Sequence, residues 1–429
     1  MESNTTGKIY LNICAKTFNY DVQGLFDYEG KEFKNFNAVI GNSVYLTRKK
    51  NEIIGRKDLN EIKPEEEILF KVRYETRLNK YFLENEILTN IKPNQKNINN
   101  LQNKIWYIIR SDFYQSNYKE EIININNDDY YLSENDIIKF GRIPYYISEI
   151  NVPKVEKKIN LDSYLTNMNN YDISDLNKNT DPVFDFLFEG KGSNDLVEND
   201  EEDQKNCKIC YLEETDKKND PFVHLCKCKG GLSFAHFNCI KEWMKSKMQM
   251  YLNENKNVKT YYVKGFNCEI CKVPYPFRFH LPGIEKPFEL LDIQKPSSGH
   301  YIILESLNTM IENFNYKEVH VIQLNDFELI IGRGDNSDIK INDISISEKH
   351  ALLKFDKYDG SLLLRDLRSR LGTLVLVRKP LEIQKKIIQL QIGRTFVEGN
   401  LMTSQEFEEL KNKTICLDKP KTIKKNKKK

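Results

Sequence analysis

No run of 18 apolar residues occurs in this 429-residue chain, and its mean hydropathy is −0.61, so no transmembrane helix is expected. Charge of one sign is also missing. Lys and Arg number 65 against 63 Asp and Glu, a net of +2, which removes the global field that would argue for nucleic acid. Residues 1–6 lack the basic-then-apolar pattern of a secretory signal, which points to the reducing cytosol or nucleus. Cysteine is scarce over most of the length: of nine, only Cys14 and Cys416 lie outside positions 207–271. At this length there is room for two to four domains.

What is present is concentrated. Seven cysteines and one histidine fall within 65 residues, as Cys207-x2-Cys210, Cys226-x-Cys228, His236-x2-Cys239 and Cys268-x2-Cys271. Each close pair supplies half of a tetrahedral shell, so eight ligands make two closed zinc sites with no open position. Closed sites are structural, not catalytic. The competing reading, a disulfide framework, suits neither an odd number of thiols nor a reducing compartment.

The ligand order, four Cys, one His and three Cys with one residue between the third and fourth ligands, resembles the RING-CH (RINGv) fingers of ubiquitin ligases. The strings CKCKGGLSFAHFNCIKEWM and CEICKVPY carry the likeness, with Trp243 four residues after the sixth ligand. A PHD finger shares the order, but spaces the middle pair more widely and places its aromatic before the seventh ligand. The resemblance implies cross-bracing: Cys207, Cys210, His236 and Cys239 on one zinc, Cys226, Cys228, Cys268 and Cys271 on the other. It also implies a contact with a ubiquitin-conjugating enzyme through Ile209, Trp243 and Pro274, with Lys272 as the cation that bridges to ubiquitin. Many such ligases are membrane-anchored, and this chain is expected to differ. The 28 residues at 240–267 exceed the usual family length, so an extended helix or an extra loop is expected after Trp243.

Residues 1–152 read as β-rich: segments 8–15, 38–47, 106–110 and 137–150 are β-branched or aromatic and broken by Asn, Asp and Gly. Positions 153–205 read as a disordered linker ending in Asp195, Glu198, Asp200, Glu201, Glu202 and Asp203. Within it the apolar VFDFLF at 183–188 reads as a short anchoring segment. The tail, 411–429, holds nine lysines and one acid and reads as solvated chain; whether it also serves as an import signal or a weak polyanion contact is left open.

Beyond position 297 the chain is again strand-rich. LIIGRGDNSDIKI, SISEKHALL, LLLRDLRSRLGTLVL and LQIGRTFVE look like a forkhead-associated (FHA) β-sandwich over 297–400. That likeness implies phosphothreonine recognition by Arg333 and Ser347, with Lys349 and Arg370 nearby and His350 bracing the loops from inside. A guanidinium suits a phosphate because its planar fork grips two oxygens at once. Two departures stand out: Glu348 takes a place that is often basic or amide, and Leu371 stands where an asparagine usually holds peptide backbone. Fragments of the pattern recur in the N-terminal region. IIGR at 53–56 echoes 330–333, and IIKFGR at 137–142 echoes the segment ending at Gly393-Arg394, so 1–152 has a degenerate FHA-like reading.

The expected architecture is multidomain and mainly β, with a small α+β zinc finger at 206–280 between two β regions. The expected function is a soluble RING-type ubiquitin ligase using two zinc ions, with a conjugating enzyme, ubiquitin and a protein substrate as partners, the FHA likeness adding phosphothreonine as a feature such a substrate can carry. Neither membrane nor nucleic acid is expected among them. Its mechanism would be positioning, without a covalent intermediate, because Cys14 and Cys416 have no histidine near them in sequence. The alternative is a non-enzymatic adaptor in which both modules only bind proteins.

Overall fold

The computed structural model describes residues 8–18, 33–84, 104–109, 129–152, 206–272 (except 215, 227, 265 and 266), 275, 278–279, 281, 288–307, 316–324, 328–378, 380–383, 387–410 and 415–416. The expected linker, with its VFDFLF segment, lies outside the described residues, as does the tail apart from 415–416. Strands dominate, and the reason is visible locally. Strand Tyr10–Phe18 alternates half-buried and buried positions, sending Leu11, Ile13 and Ala15 into a core with period two.

The strand pairing interleaves the two β-rich regions, 1–152 and 297–400, so that each of two sandwiches draws on both. In the outer sandwich, one sheet runs Leu381–Glu382, Lys80–Glu84, Glu67–Glu75, Val44–Lys49, Glu52–Arg56. It faces Phe33–Ile40, Tyr10–Phe18, Thr395–Met402 and Ile387–Ile392, and Leu46, Phe70, Leu83, Ile13, Leu390 and Val397 fill the space between. In the inner sandwich, one sheet runs Ile339–Lys340, Glu328–Gly332, Ala351–Phe355, Leu362–Asp366, Tyr130–Tyr131. It faces Tyr316–Leu324, His300–Ser306, Ile143–Asn151 and Ile137–Phe140, around Ile331, Leu353, Leu364, Ile302 and Ile147.

The two strand orders are the same, position for position. In each sandwich the last three strands come from the far side of the chain: 381–402 complete the N-terminal strands, and 130–151 complete the C-terminal ones. The inner sandwich is therefore a circular permutation, with the zinc segment at its joint, and it is inserted whole into the outer one. Strands Thr373–Leu376 and Ile105–Ile108 knit the facing sheets into one of thirteen strands.

The excess length after Trp243 is neither extra helix nor loop. The helix, Phe237–Lys247, stops at Met248, and a hairpin follows, made of Gln249–Glu254 and Val258–Lys264. Val258, Thr260, Tyr262 and Val263 favour a strand, and this one finds the free side of Tyr316–Leu324, with Val258 opposite Ile322 and Lys264 opposite Tyr316. The zinc segment is thus bound to the inner sandwich by main-chain hydrogen bonds. A shared core reinforces the joint: Val223, Leu225, Ile240, Met244, Leu290 and Leu291 pack with Tyr261, Val263, Tyr301, Ile303, Val319 and Val321.

Candidate metal centre and anion-facing loops

Two turns of one design hold the outer cysteine pairs. Tyr211 N donates to Cys207 O at 2.8 Å, and Lys272 N donates to Cys268 O at 2.9 Å. Both turn residues sit in the left-handed region, Tyr211 at φ 64 and Lys272 at φ 60, which curls the chain and aims both sulfurs of each pair inward. His236 ends a short strand and Cys239 lies in the first turn of the helix that follows, so one chain reversal brings both to Cys207 and Cys210.

Two four-ligand groups result: Cys207, Cys210, His236 and Cys239 in one, and Cys226, Cys228, Cys268 and Cys271 in the other. Within each, the ligand atoms lie within 4.8 Å of one another. A tetrahedral zinc with bonds of about 2.3 Å to sulfur requires edges near 3.8 Å. Cys228 Sγ and Cys268 Sγ are 3.7 Å apart, Cys239 Sγ is 3.8 Å from His236 Nδ1, and Cys210 Sγ is 3.3 Å from it. His236 Nε2 lies 3.0 Å from Glu213 O, an acceptor only, so that nitrogen carries the proton and Nδ1 keeps a free lone pair for metal.

The electrostatics fit a cation at each centre. Burial opposes ionisation of Cys207, yet backbone N–H groups of Cys210, His236 and Ile209 outweigh it and bring the thiol to about 6. Cys268 reaches about 6 in the same way, despite burial, through the N–H groups of Cys271 and Ile270 and the Tyr275 hydroxyl. Cys228 and Cys239 are pushed up to about 12 by burial and by their sulfur neighbours. Thiols so crowded can all ionise only around a metal. Lys208 Nζ, 3.7 Å from Cys226 Sγ, supplies positive charge beside the all-sulfur group.

Ile209 and Trp243 are both partly buried and pack on the zinc-domain core. Lys272 is exposed, and Pro274 lies outside the described residues. The apolar side chains most open to solvent around the turns are ones that sequence reasoning passed over: Tyr211 at 78%, Leu212 at 66% and Ile270 at 58% exposure. Ile270 occupies in the second turn the place Ile209 has in the first, an internal repeat that the paired C-x-I-C strings already contain.

In the inner sandwich, Arg333 stands exposed directly after strand Glu328–Gly332, and its Nε donates to Ile346 O at 3.2 Å. Ser347 Oγ accepts from Arg370 N at 3.0 Å and keeps its own proton for another acceptor. His350 is fully buried and bridges two loops: Nδ1 accepts from Ser347 N at 3.1 Å, and Nε2 donates to Gly372 O at 3.1 Å. Burial lowers its pKa, more than the nearby Asp366 raises it, which keeps the ring neutral and able to accept. Gly332 is obligatory, because a Cβ there would lie 2.1 Å from Glu348 O. Lys349, Arg370 and Glu348 are exposed, and main-chain hydrogen bonds join the two loops, from Arg333 N to Ser347 O at 3.0 Å and from Gly334 N to Glu348 O at 3.1 Å.

Three residues that brace this loop had no assigned role in the sequence reading. Arg142, at the turn of the 137–151 hairpin, reaches Asp343 through Nε at 3.0 Å and Nη2 at 2.8 Å, and its N donates to Ser345 Oγ at 3.0 Å. The hairpin can come this close because Gly141 has no side chain: a Cβ would lie 2.4 Å from Ser345 Oγ. The only sequence signal was the echo between 137–142 and Gly393-Arg394, which are the corresponding turns of the two sandwiches.

Comparison with known proteins agrees with this geometry. Residues 207–271 match the family model of the RING-variant domain, and residues 329–399 match that of the FHA domain. The chain is 33% identical over 72 residues to the ERAD-associated E3 ubiquitin-protein ligase DOA10 of Saccharomyces cerevisiae, covering 17% of this chain and 5% of that protein. It is 25% identical over 141 residues to the E3 ubiquitin-protein ligase MARCHF7 of Pongo abelii, covering 30% of this chain and 19% of that one. With the probable E3 ubiquitin-protein ligase MARCHF10 of Rattus norvegicus it shares 35% over 77 residues, 18% of this chain and 9% of the other. The chain thus spans less than a fifth of the length of each of these relatives, and no solved structure matches it. The FHA match itself crosses between the sandwiches, starting on inner strands and ending on the outer hairpin 387–402. The chain carries a RING-variant domain with two sites suited to zinc and an FHA domain whose strands are shared between two interlocked sandwiches.

Proposed function

We propose that the chain is a RING-type ubiquitin ligase that holds a ubiquitin-charged conjugating enzyme on its zinc domain and a protein substrate on its inner sandwich. The observation that carries this reading is the pair of complete four-ligand groups, cross-braced in chain order, each with one cysteine pair held in a turn of the same form. Zinc bound there supplies rigidity, and Cys207, Cys210, His236, Cys239 and Cys226, Cys228, Cys268, Cys271 would hold it. The chain's own work is positioning: Ile209, Trp243 and Pro274 offer the apolar contact, and Lys272 the cation that bridges to ubiquitin. Orientation prepaid in this way is worth several kcal/mol of barrier, on the order of 7 in favourable cases. Cys14 is a poor nucleophile, since burial raises its thiol pKa and its strand is paired on both sides. Ubiquitin therefore passes directly to a substrate lysine.

Substrate selection falls to Arg333 and Ser347, with Lys349 and Arg370 at the rim, and the feature read is phosphothreonine. A guanidinium beside a hydroxyl that retains its proton is a donor pair for a phosphate dianion. A soluble, cytosolic or nuclear enzyme is part of the same proposal; no helix among the described residues is long and apolar enough to cross a membrane.

The test is full-length zinc-loaded protein incubated with ubiquitin, activating enzyme, ATP and a panel of conjugating enzymes. Ubiquitin chains are expected, and Trp243→Ala should lower them at least about tenfold with two zinc ions retained, as truncating an interface anchor costs about 2 kcal/mol. Chain formation with no conjugating enzyme in the panel would leave the chain an adaptor. For the sandwich, a phosphothreonine peptide library should be retained by the wild type and released by Arg333→Ala. Equal retention of phosphorylated and unphosphorylated twins would overturn the phosphate reading.

A further inference from the structure

The strand after the zinc-domain helix has a neighbour on one side only among the described residues. Gln249–Glu254 is the outermost strand of the thirteen-stranded sheet, and among the described residues only Val258–Lys264 pairs with it. All six residues are exposed, and three adjacent ones are large and apolar: Met250 at 44%, Tyr251 at 56% and Leu252 at 47%. Proteins normally protect such an edge with a central charge, a proline or a bulge. Here the one charge is Glu254, at the end, and Lys259 occupies it at 2.7 Å.

We propose that this edge pairs antiparallel with the same strand of a second copy, about a twofold axis through Tyr251. The argument is self-complementarity. A twofold axis perpendicular to a sheet sets each residue opposite one displaced equally from the centre. Centred on Tyr251, it places Met250 against Leu252 of the second copy, Gln249 against Asn253, and Tyr251 against itself. Apolar meets apolar, amide meets amide and aromatic meets aromatic, the pairs that stabilise cross-strand neighbours. Tyr251 already faces Tyr262 within the hairpin, so the dimer would carry a row of four tyrosines on one side of the sheet. On the other side, Met250 and Leu252 continue the row begun by Val263 and Tyr261. A centre one residue later would set Met250 against Glu254 and Tyr251 against Asn253, which wastes both apolar groups.

An unrelated partner strand would have no need of this symmetry. At its opposite end the sheet finishes in Ile415–Cys416, two residues long and parallel to its neighbour, so it offers no matching edge. Pairing at Gln249–Glu254 therefore closes as a dimer and does not propagate as a fibre. Five residues on each side make a small interface, so the dissociation constant should be on the order of 10 µM.

Sedimentation velocity of the full zinc-loaded chain, at concentrations bracketing about 10 µM, should show a monomer–dimer equilibrium. Tyr251→Lys sets two ammonium groups opposite each other and should weaken it at least about tenfold. Register is read by oxidation with zinc in excess, against the wild type as background. Tyr251→Cys should form a disulfide-linked dimer, Gln249→Cys alone should not, and Gln249→Cys with Asn253→Cys should. These side chains are exposed, and a zinc content of two per chain certifies the fold of each variant. A monomer at every concentration, a dimer indifferent to Tyr251→Lys, or efficient linkage through Gln249→Cys alone would overturn the proposal.

Discussion

Replacing Arg142 by alanine should loosen a loop that lies some two hundred residues further along the chain. Asp343 is buried at 4% exposure and accepts from Ser345 N at 2.9 Å, from Ser345 Oγ, and from the Arg142 guanidinium. Removing the guanidinium leaves a buried carboxylate without its counter-charge, a loss of about 3 kcal/mol or more. With a urea slope of about 3 kcal/mol per molar, the unfolding midpoint of the inner sandwich should fall by about 1 M. Hydrogen exchange at 343–350 should accelerate in step, and phosphopeptide affinity should fall with it, because Ser347 lies in that loop. Adding Asp343→Asn should recover part of the loss. The amide can still accept from Ser345, and no uncompensated charge remains. The assay is urea denaturation with exchange mass spectrometry on the full chain. If Arg142→Ala keeps the wild-type midpoint and exchange pattern, the hairpin 137–151 does not brace the loop and the interlocked assignment fails.

Other expectations follow from the same contacts. A chelator should do more than unfold 206–281: strands His300–Ser306 and Tyr316–Leu324 share the zinc-domain core and should lose exchange protection too, whereas unchanged protection there would show that the domains are independent. Cys226→Ser or Cys268→Ser should reduce bound zinc from two to one by metal analysis, since both belong to the all-sulfur group. In the outer sandwich, the hydrogen bond from Arg56 holds Glu66 well below the usual carboxylate range, at about 2. A depressed carboxyl contributes stability that is full above its unfolded value, near 4.5, and is lost as pH falls toward 2. Glu66→Gln should therefore narrow the difference in melting temperature between pH 5 and pH 3; an unchanged difference would remove Glu66 from the account of acid unfolding.

The zinc ligands were legible because the determinant is local: two residues between cysteines suffice to form a turn, and the turn itself delivers both sulfurs. The placement of Arg333, Ser347 and His350 was legible for the same reason, each being tied to a strand end or a tight loop, whereas their part in phosphate binding belongs to the proposal. The interlocking was not legible, since it rests on pairs such as Tyr10 with Met402 and Leu363 with Tyr131, which leave no periodic trace in the sequence. Of the two echoes between the β regions, IIKFGR was informative because a hairpin turn is also local; Gly141 and Gly393 share a left-handed backbone, at φ 56 and 52. The other, IIGR at 53–56, was not. Glu52–Arg56 is an outer strand beside Val44–Lys49, whereas Glu328–Gly332 lies between two neighbours. A strand's place in a sheet is set by what flanks it, and the same four residues serve either place.

Interlocking on this scale sounds costly, but the ends of each inserted unit show why it is not. The chain leaves the inner sandwich at Asn151 and returns through Tyr301, and these two residues are direct partners in adjacent antiparallel strands. The zinc domain is thus an oversized hairpin loop, and loop-closure entropy rises only with the logarithm of length, about 0.6 kcal/mol per doubling. The hairpin 249–264 then returns part of that loop to the same sheet, where main-chain bonds and the shared core offset the closure. The outer sandwich repeats the arrangement. Its chain departs after Ile108 and comes back by Val377, whose N donates to Ile105 O at 2.9 Å. Domains whose entry and exit points touch can be nested without disturbing either fold. Two insertions of this kind turn what the sequence presents as consecutive regions into one enclosed set. The zinc domain is the innermost insertion in chain order, anchored by sheet and core to the sandwich that carries Arg333.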